Sequence, residues 1–418
     1  MLKRDELKCF VFSGDKTLCS GCGACVQVCN HNALEMISDE EGFLYPKLDI
    51  EKCVHCGLCS HVCPVTGTNS ENANHEQHCY LATTSYAQYY KESASIGICT
   101  MLSEYIVKQG GVVFGVYLDE SSWTAYHIIV KDINDIQKIR NSKYLQSATK
   151  ESFAQARRFL IEGKKVLFIG TPCQIAGLKA YLHKDYPNLF TIDLVCYGVF
   201  SPTLMPLEIN YWENRYKGKI KNFRFRSKRV YKHVNGGMVN FDVQVNGKLQ
   251  HIERFAASSP SYRCYAYAGD GKNYNHRISC YYCHFRSEKR YADITVGDPW
   301  FICNDVISTP SLQSWNVIRS LFSTNTKKGE KLCAIIMNKL ITEELPREKS
   351  FCQPALLPVK NVIPEERRIL YSQVGKEDYG SLVQRLLKCN LDKAQSEFDL
   401  NYKKQSFRRL IKKIVLWK

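Results

Sequence analysis

The sequence predicts a mixed α/β protein of the α+β kind, and three patterns predict it. Between residues 80 and 200, short apolar runs (YLATTSY, GGVVFGVYL, AYHIIV, KKVLFI, FTIDLVC) alternate with helical stretches (CTMLSEYIVKQ, KESFAQARRFLIEG), the rhythm of a β/α core built partly on parallel strands. Residues 220–255 alternate apolar and polar instead, and Asn246-Gly247 sits between VNFDVQV and KLQHIERF as a two-residue hairpin turn. From about residue 355 the pattern turns helical, through SLVQRLLKCNLDKAQSEF to the tail SFRRLIKKIVLWK.

A chain of 418 residues has room for two or three domains and a sizeable core, and its ordinary composition argues against disorder. The opening MLKRDELKCFVFSGDK mixes charges of both signs and lacks the apolar stretch of a secretory signal. No run approaches the ~18 consecutive apolar residues of a membrane span. The expectation is a cytoplasmic chain whose twenty cysteines are metal ligands or buried thiols rather than disulfides.

Eight of those cysteines fall in two runs of identical spacing, Cys19-x2-Cys22-x2-Cys25-x3-Cys29 and Cys53-x2-Cys56-x2-Cys59-x3-Cys63-Pro64. Three thiolates two residues apart wrap a tight loop around three corners of an iron-sulfur cube, and the glycines between them let the backbone approach the sulfides. The fourth ligand comes from the other run. Cys19, Cys22, Cys25 and Cys63 are therefore assigned to one [4Fe-4S] cluster, and Cys53, Cys56, Cys59 and Cys29 to the other. Asn30 stands where a proline usually follows the fourth cysteine, a departure that removes no ligand. Zinc also takes C-x2-C pairs, but two complete four-cysteine runs favour clusters. Residues 1–70, which carry both runs, resemble a bacterial two-cluster ferredoxin, implying one-electron relay. The polar stretch TGTNSENANHEQH at 66–78 leads into a linker placed at 71–90.

Four further cysteines have distinctive settings: Cys173 in GTPCQ, Cys196 in DLVCYG, and Cys280 with Cys283 in SCYYCHFRSEKRYADITVGDPW. The first two end predicted strands, whose ends crowd together at the functional edge of such sheets. A C-x2-C pair at that edge would complete a four-thiolate cage, the alternative being buried structural thiols. The motif around Cys173 holds no histidine to act as a base and no GK[ST] ending, so neither a cysteine nucleophile nor a phosphate loop is supported. Cys264 is a possible spare ligand, read as a buried thiol. Cys9, Cys79, Cys99, Cys303, Cys333, Cys352 and Cys389 lack ligand spacing.

In combination, GTPCQIAGLK, DLVCYGVFSP, and CYYCHFR followed by ADITVGDPW resemble the coenzyme F420 hydrogenase/dehydrogenase beta-subunit family, with the two-cluster ferredoxin fused in front. The resemblance spans roughly residues 1 to 330 and places the core at 91–330, followed by a helical region at 331–418. It implies a mixed-sheet core holding a third [4Fe-4S] cluster beside FAD, with Cys173, Cys196, Cys280 and Cys283 as the cluster ligands. SASIGICTMLSEYIVKQGGVVFGV, residues 93–116, is similar to the family's Gly-Gly turn before a helix, with Ile96 in place of the first glycine. That similarity makes Ser95, Gly97 and Thr100 candidate flavin contacts, the backbone donors and positive helix end suiting a pyrophosphate. SKYLQS matches a second family element and adds Lys143, Tyr144, Gln146 and Ser147. Gly297 and Asp298 in DITVGDPW would close the site from a strand.

No G-x-G-x-x-G follows a strand, so electrons are expected singly, from ferredoxin or another electron-transfer protein, rather than from a dinucleotide. Flavin would gather them for two-electron chemistry. The formal charge of +16 suits an anionic partner. The run RYKGKIKNFRFRSKRVYK, with nine Lys/Arg, is read as a solvated hairpin face or a collar for an acidic coenzyme or small molecule, not as a nucleic-acid surface. The tail interleaves Phe407, Leu410, Ile411, Ile414 and Trp417 with basic residues, a pattern for either peripheral membrane contact at the inner surface or docking on the domain.

The expected function is a ferredoxin-linked iron-sulfur flavin oxidoreductase acting on an acidic small molecule or coenzyme. The alternative is a non-catalytic electron-transfer subunit, and a colourless nucleic-acid binder with structural zinc is the third. The resemblance includes members linked to surface-polysaccharide gene clusters, which suggests a lipid-linked glycan precursor as substrate. No motif names an acid or base; His127, Asp193 and His284 are the residues to check.

Overall fold

The computed structural model describes residues 9–66, 76–227, 237–267, 271–300, 302–314, 317–357 and 362–415, with side chains described as far as 404. By its contacts the chain divides into two units, Met1–Pro202 with His276–Val362 and Thr203–Asn275 with Ile363–Lys418. Both are discontinuous in sequence, unlike the contiguous boundaries expected.

In the first unit, β1 (Leu34–Ser38) and β2 (Leu44–Leu48) form an antiparallel hairpin with Leu34 opposite Leu48. The nine-stranded sheet takes β3 (His78–Thr83), β4 (Val112–Asp119), β5 (Thr124–Val130), β6 (Ser147–Ala148), β7 (Val166–Gly170) and β8 (Leu189–Leu194) from the first part of the chain. The excursion into the second unit supplies β9 (Lys219–Arg224), β10 (Met238–Val245) and β11 (Lys248–Phe255). The chain then returns with β12 (Ile294–Gly297), β13 (Ser320–Thr324) and β14 (Ile341–Leu345), completing the order β14-β3-β13-β12-β8-β7-β4-β5-β6. β4, β7, β8 and β12 are mutually parallel, whereas β3 and β14 pair antiparallel on one side and β5 on the other. The sheet is thus mixed, as the alternating runs predict.

Strand alternation sorts the core onto two faces. Phe114 and Phe168 join Phe153, Ile175 and Leu178 on one face, and Val113 and Leu167 join Met101, Leu102, Ile192 and Ile294 on the other. The first cluster also takes in Cys22, Ala24 and Val62, so the cysteine runs pack on that face of the sheet. One boundary is corrected: His78–Thr83, within the stretch assigned to a linker, is a strand paired on both sides. Its sequence HCYLAT supplies the buried side chains an interior strand needs.

In the second unit β9, β10 and β11 form an antiparallel sheet, and Asn246 (φ 48°) and Gly247 (φ 78°) make the tight turn expected between β10 and β11. The helix Leu204–Tyr216 buries Trp212 5.2 Å from the ring of Phe241, and Phe255 stacks on Phe398 of the helix Leu391–Val415 at 4.6 Å. On β9, Phe223 and Phe225 next to it are buried while Lys219 and Lys221 are exposed, the pattern of a solvated sheet face rather than of bases stacking on aromatics. Residues 228–232 of the basic run, and the side chains of the tail from Phe407 to Trp417, lie outside the described residues. No helix among the described residues is long and apolar enough to cross a membrane.

Candidate redox site

The parallel strands β4, β7, β8 and β12 all end at one edge of the large sheet, and the four core cysteines stand there. β7 ends at Gly170. Thr171 then caps the helix Pro172–Leu182 through a capping box with Gln174, whose Oε1 accepts from Thr171 N at 3.0 Å, and Pro172 occupies the first turn. The turn holds Cys173 at the strand end, with Thr171 Oγ1 3.1 Å from its sulfur. Cys196 lies two residues beyond β8, and Cys280 and Cys283 sit in and just after the short turn Ile278–Tyr282 that precedes β12. The turn is held by Cys280 N donating to Arg277 O at 2.9 Å.

The four thiols lie within electrostatic reach of one another. Burial, reinforced by Cys280, Cys173 and Cys283, drives the Cys196 thiol far up, and burial with Cys283 pushes Cys280 up to about 12. Thiols so raised are poor nucleophiles. Iron would supply the positive charge that lets them ionise together. Among the described residues no three His, Cys, Asp or Glu side chains are gathered as for a single metal ion. A donor set of four sulfurs is of the kind an iron-sulfur cluster takes, and zinc takes it too.

The N-terminal runs repeat one local design. Gly23 (φ 79°) and Gly57 (φ 78°) are the left-handed caps of the one-turn helices Ala24–Gln27 and Leu58–His61, which carry Cys25 and Cys59. Cys19, Cys22, Cys25 and Cys63 line one cavity, which brings the fourth cysteine of the second run near the first three of the first. Cys9 and Cys59 line the same cavity, and the Cys59 thiol donates to Cys9, favouring the Cys9 thiolate. Cys9 carries no spacing signal in the sequence, so pattern alone does not find it. Of the second set, Cys29 accepts from Ala33 N at 3.4 Å and Cys56 is exposed, placing this run toward the surface.

The cysteine runs are tied to the core by specific contacts. Thr149 Oγ1 donates to Cys22 O at 2.8 Å, Gln27 Oε1 accepts from Phe153 N at 2.9 Å, and Leu44 N donates to Gln146 Oε1 at 2.9 Å. Gly177 faces Cys22 so closely that a β-carbon there would lie 2.9 Å from the Cys22 sulfur. Arg277, fully buried, donates from Nε to Cys19 O at 2.8 Å. Nothing about this arginine in sequence, three residues before a cysteine, marks it out.

The candidate flavin residues share this sheet edge but differ in what occupies them. Gly97, at φ 89°, starts the helix Ile98–Lys108 and has no side chain to cap its first amides, an arrangement that fits an anionic group. Ile96, in place of a glycine, is completely buried. The side chains are engaged by protein: Ser95 with Arg319 O and Ser320, Thr100 with Ser93, Lys143 with Arg140 O, and Ser147 with Gln174. Tyr144 O accepts from Phe200 N, and Asp298 O accepts from Gln353. A β-carbon on Gly297 would meet the Val195 side chain at 2.5 Å, so this glycine serves close packing. The fit to a flavin therefore rests on backbone donors at the start of the helix.

The three residues considered as acid or base are placed differently. His127 is buried, stacked on Phe168 at 5.0 Å, with Nε2 against Ile169 O, and burial brings its pKa down to about 4. Asp193 forms an ion pair with Arg290 at 3.0 Å, both essentially inaccessible. His284 alone is exposed, beside Cys283.

With this geometry in place, the likeness to known proteins can be set beside it. Over 257 residues the chain is 25% identical to a coenzyme F420-dependent sulfite reductase of Methanocaldococcus jannaschii, covering 55% of this chain and 38% of that protein. An uncharacterized polyferredoxin-like protein of the same organism is 39% identical over 62 residues, 13% of this chain and 37% of that protein. An uncharacterized ferredoxin from it is 40% identical over 50 residues, 12% of this chain and 64% of that protein. The chain thus spans less than two thirds of each of these relatives. A chain in a structure of the F420-reducing [NiFe] hydrogenase complex from Methanosarcina barkeri, studied by xenon derivatization, aligns with a TM-score of 0.41 and 16% identity, covering 76% of this chain and 91% of that one. Residues 18–66 match the 4Fe-4S dicluster domain, and residues 163–349 match the C-terminal part of the coenzyme F420 hydrogenase/dehydrogenase beta subunit. The chain is thus similar to iron-sulfur redox proteins, carrying a 4Fe-4S dicluster domain at residues 18–66 and, at residues 163–349, a region that matches the C-terminal part of the coenzyme F420 hydrogenase/dehydrogenase beta subunit.

Proposed function

We propose that the protein is a ferredoxin-linked iron-sulfur flavoprotein oxidoreductase. Electrons from ferredoxin or another electron-transfer protein arrive near the exposed Cys56, cross the two dicluster sets, and reach a third cluster held by Cys173, Cys196, Cys280 and Cys283. The observation that carries this reading is the junction itself. Cys22 lies against the helix that bears Cys173, and the two thiols feel each other's charge. The exposed Cys56 offers a point of entry, and the Cys22–Cys173 junction a point of transfer to the core.

At the same edge, the first amides of the helix Ile98–Lys108 would hold the pyrophosphate of FAD. When bound, a flavin supplies the conversion between single electrons and a two-electron reduction. The chain's own part would be to hold it at the sheet edge and to keep water from it. The basic character of the chain suits an acidic small molecule or coenzyme as substrate, and a lipid-linked precursor of surface polysaccharide is the specific candidate. The tail is proposed to touch the membrane that carries it, and the working location is the cytoplasm.

Rapid mixing of the loaded protein with reduced ferredoxin, following flavin bleaching, tests the route. Wild type should bleach within the mixing experiment, and Cys56→Ser should slow bleaching at least tenfold while retaining flavin. Protein that carries no flavin, or Cys56→Ser bleaching at the wild-type rate, would sink the proposal. Reduced flavin that passes electrons only to a second enzyme would identify the non-catalytic subunit.

A further inference from the structure

Among the described residues of the first unit, Arg277 is the largest fully buried charged side chain. Its backbone belongs to the turn that carries Cys280, while its side chain reaches into the first cysteine run. Nε donates to Cys19 O at 2.8 Å and Nη2 approaches Cys19 Sγ at 3.5 Å. The guanidinium lies 3.8 Å above the Tyr45 ring and 5.7 Å from the centre of Phe43, both on the β1–β2 hairpin segment. Nη1 is buried with no hydrogen-bond acceptor among the described residues. The same charge is felt at Cys173 and Cys280, on the other side of the junction.

A cation removed from water needs a compensating anion. Among the described residues the partners of the guanidinium are a thiol, a carbonyl and two aromatic faces, not carboxylates. A [4Fe-4S] core of about +2 held by four thiolates leaves a net charge of about −2. Two such groups, one on each side of Arg277, would provide the missing counter-charge. Reduction adds one electron to a group already negative, and a fixed cation beside it favours that electron.

We propose that Arg277 is a positioning residue shared by two clusters, the one held by Cys19, Cys22, Cys25 and Cys63 and the one in the core. It raises the reduction potential of both, so that the electron moves between nearly matched sites. This rests on the reading that Cys173, Cys196, Cys280 and Cys283 hold a cluster. No electron donor beyond the reduced ferredoxin already named is needed, and no bond is made or broken.

The test is a redox titration, followed by electron paramagnetic resonance, of the fully loaded wild type, Arg277→Gln and Arg277→Lys. Cys56→Ser and Cys173→Ser assign the distal and core signals. In Arg277→Gln the reduction equilibria of the two adjacent clusters should shift about tenfold or more toward the oxidised form, about 59 mV for one electron. The distal cluster should not move. Arg277→Lys, which keeps the charge, should remain near wild type. Full iron with all three potentials unshifted in Arg277→Gln would overturn the proposal, as would an equal shift at the distal cluster. If Arg277→Gln fails to load, Arg277→Lys decides: three clusters at wild-type potentials sustain the role of the charge, and lowered potentials overturn it. A Cys173→Ser protein with undiminished iron would instead overturn the core-cluster reading.

Discussion

Gly177→Ala probes the junction between the cysteine runs and the core, because two effects oppose each other there. Gly177 lies within the helix Pro172–Leu182, where alanine is the better helix former by about 1 kcal/mol. Helix propensity alone therefore predicts stabilisation. A β-carbon at this position would stand 2.9 Å from Cys22 Sγ, 3.0 Å from Cys22 Cβ and 3.5 Å from the Phe153 ring. Neither neighbour yields freely: Phe153 and Cys22 are both buried in the same packed cluster. Overpacking of this kind costs about 1–3 kcal/mol. The net expectation is a loss of about 1 kcal/mol for alanine. It is about 2 kcal/mol or more for Gly177→Val, which regains little propensity and adds two further methyl groups. Anaerobic thermal bleaching of cluster absorbance reads this out, in the order wild type, alanine, valine, with midpoints falling about 2 °C per kcal/mol in a unit of this size. An alanine variant that bleaches above wild type with its iron complete would refute the packing argument.

Further outcomes follow from individual residues. Cys63→Ser should abolish the cluster shared with Cys19, Cys22 and Cys25 and leave the distal signal, whereas Cys29→Ser should do the reverse; the same signal lost in both would reject the exchange of fourth ligands. Gly97→Ala forces a β-carbon to 2.9 Å from Tyr89 O at a φ of 89°, so flavin content should fall severalfold while iron is unchanged. Flavin retained in full would move the pyrophosphate away from that helix start. Asp193→Asn strands the buried Arg290, with an expected loss of about 3–5 kcal/mol, read as early bleaching without any change in cluster potentials. Wild-type thermal behaviour would mean that Arg290 finds other support.

The legible parts of the molecule are those where local chemistry and tertiary context agree. The strands ending at Gly170 and Leu194 and the Asn246-Gly247 turn follow from short-range patterns. So does the meeting of Cys63 with Cys19, Cys22 and Cys25, because ligand spacing is itself a geometric code. What escaped the sequence is long-range. The apolar run from residue 80 is legible, but that its strand opens at His78, inside the stretch given to a linker, and lies between 320–324 and 341–345 shows only in the pairing. The excursion of residues 203–275 is invisible because nothing local says that a hairpin will leave the sheet. Arg277 and Cys9 owe their importance to neighbours 50 or more residues away in the chain. Gln146, marked for flavin, also takes up a structural task that the sequence does not announce: its Oε1 accepts from Leu44 N of the cysteine-run hairpin. An amide side chain carries no sign of which partner it will find.

The central claim is that the core edge is a redox site in its own right. Anaerobic purification with iron, sulfide, zinc and flavin quantitation, on wild type and Cys173→Ser, tests it most directly. The account predicts about twelve irons and one flavin in the wild type, and about four fewer irons in the variant with the dicluster signals intact. About eight irons in both proteins, or zinc without flavin, would contradict it and leave Cys173, Cys196, Cys280 and Cys283 as buried thiols.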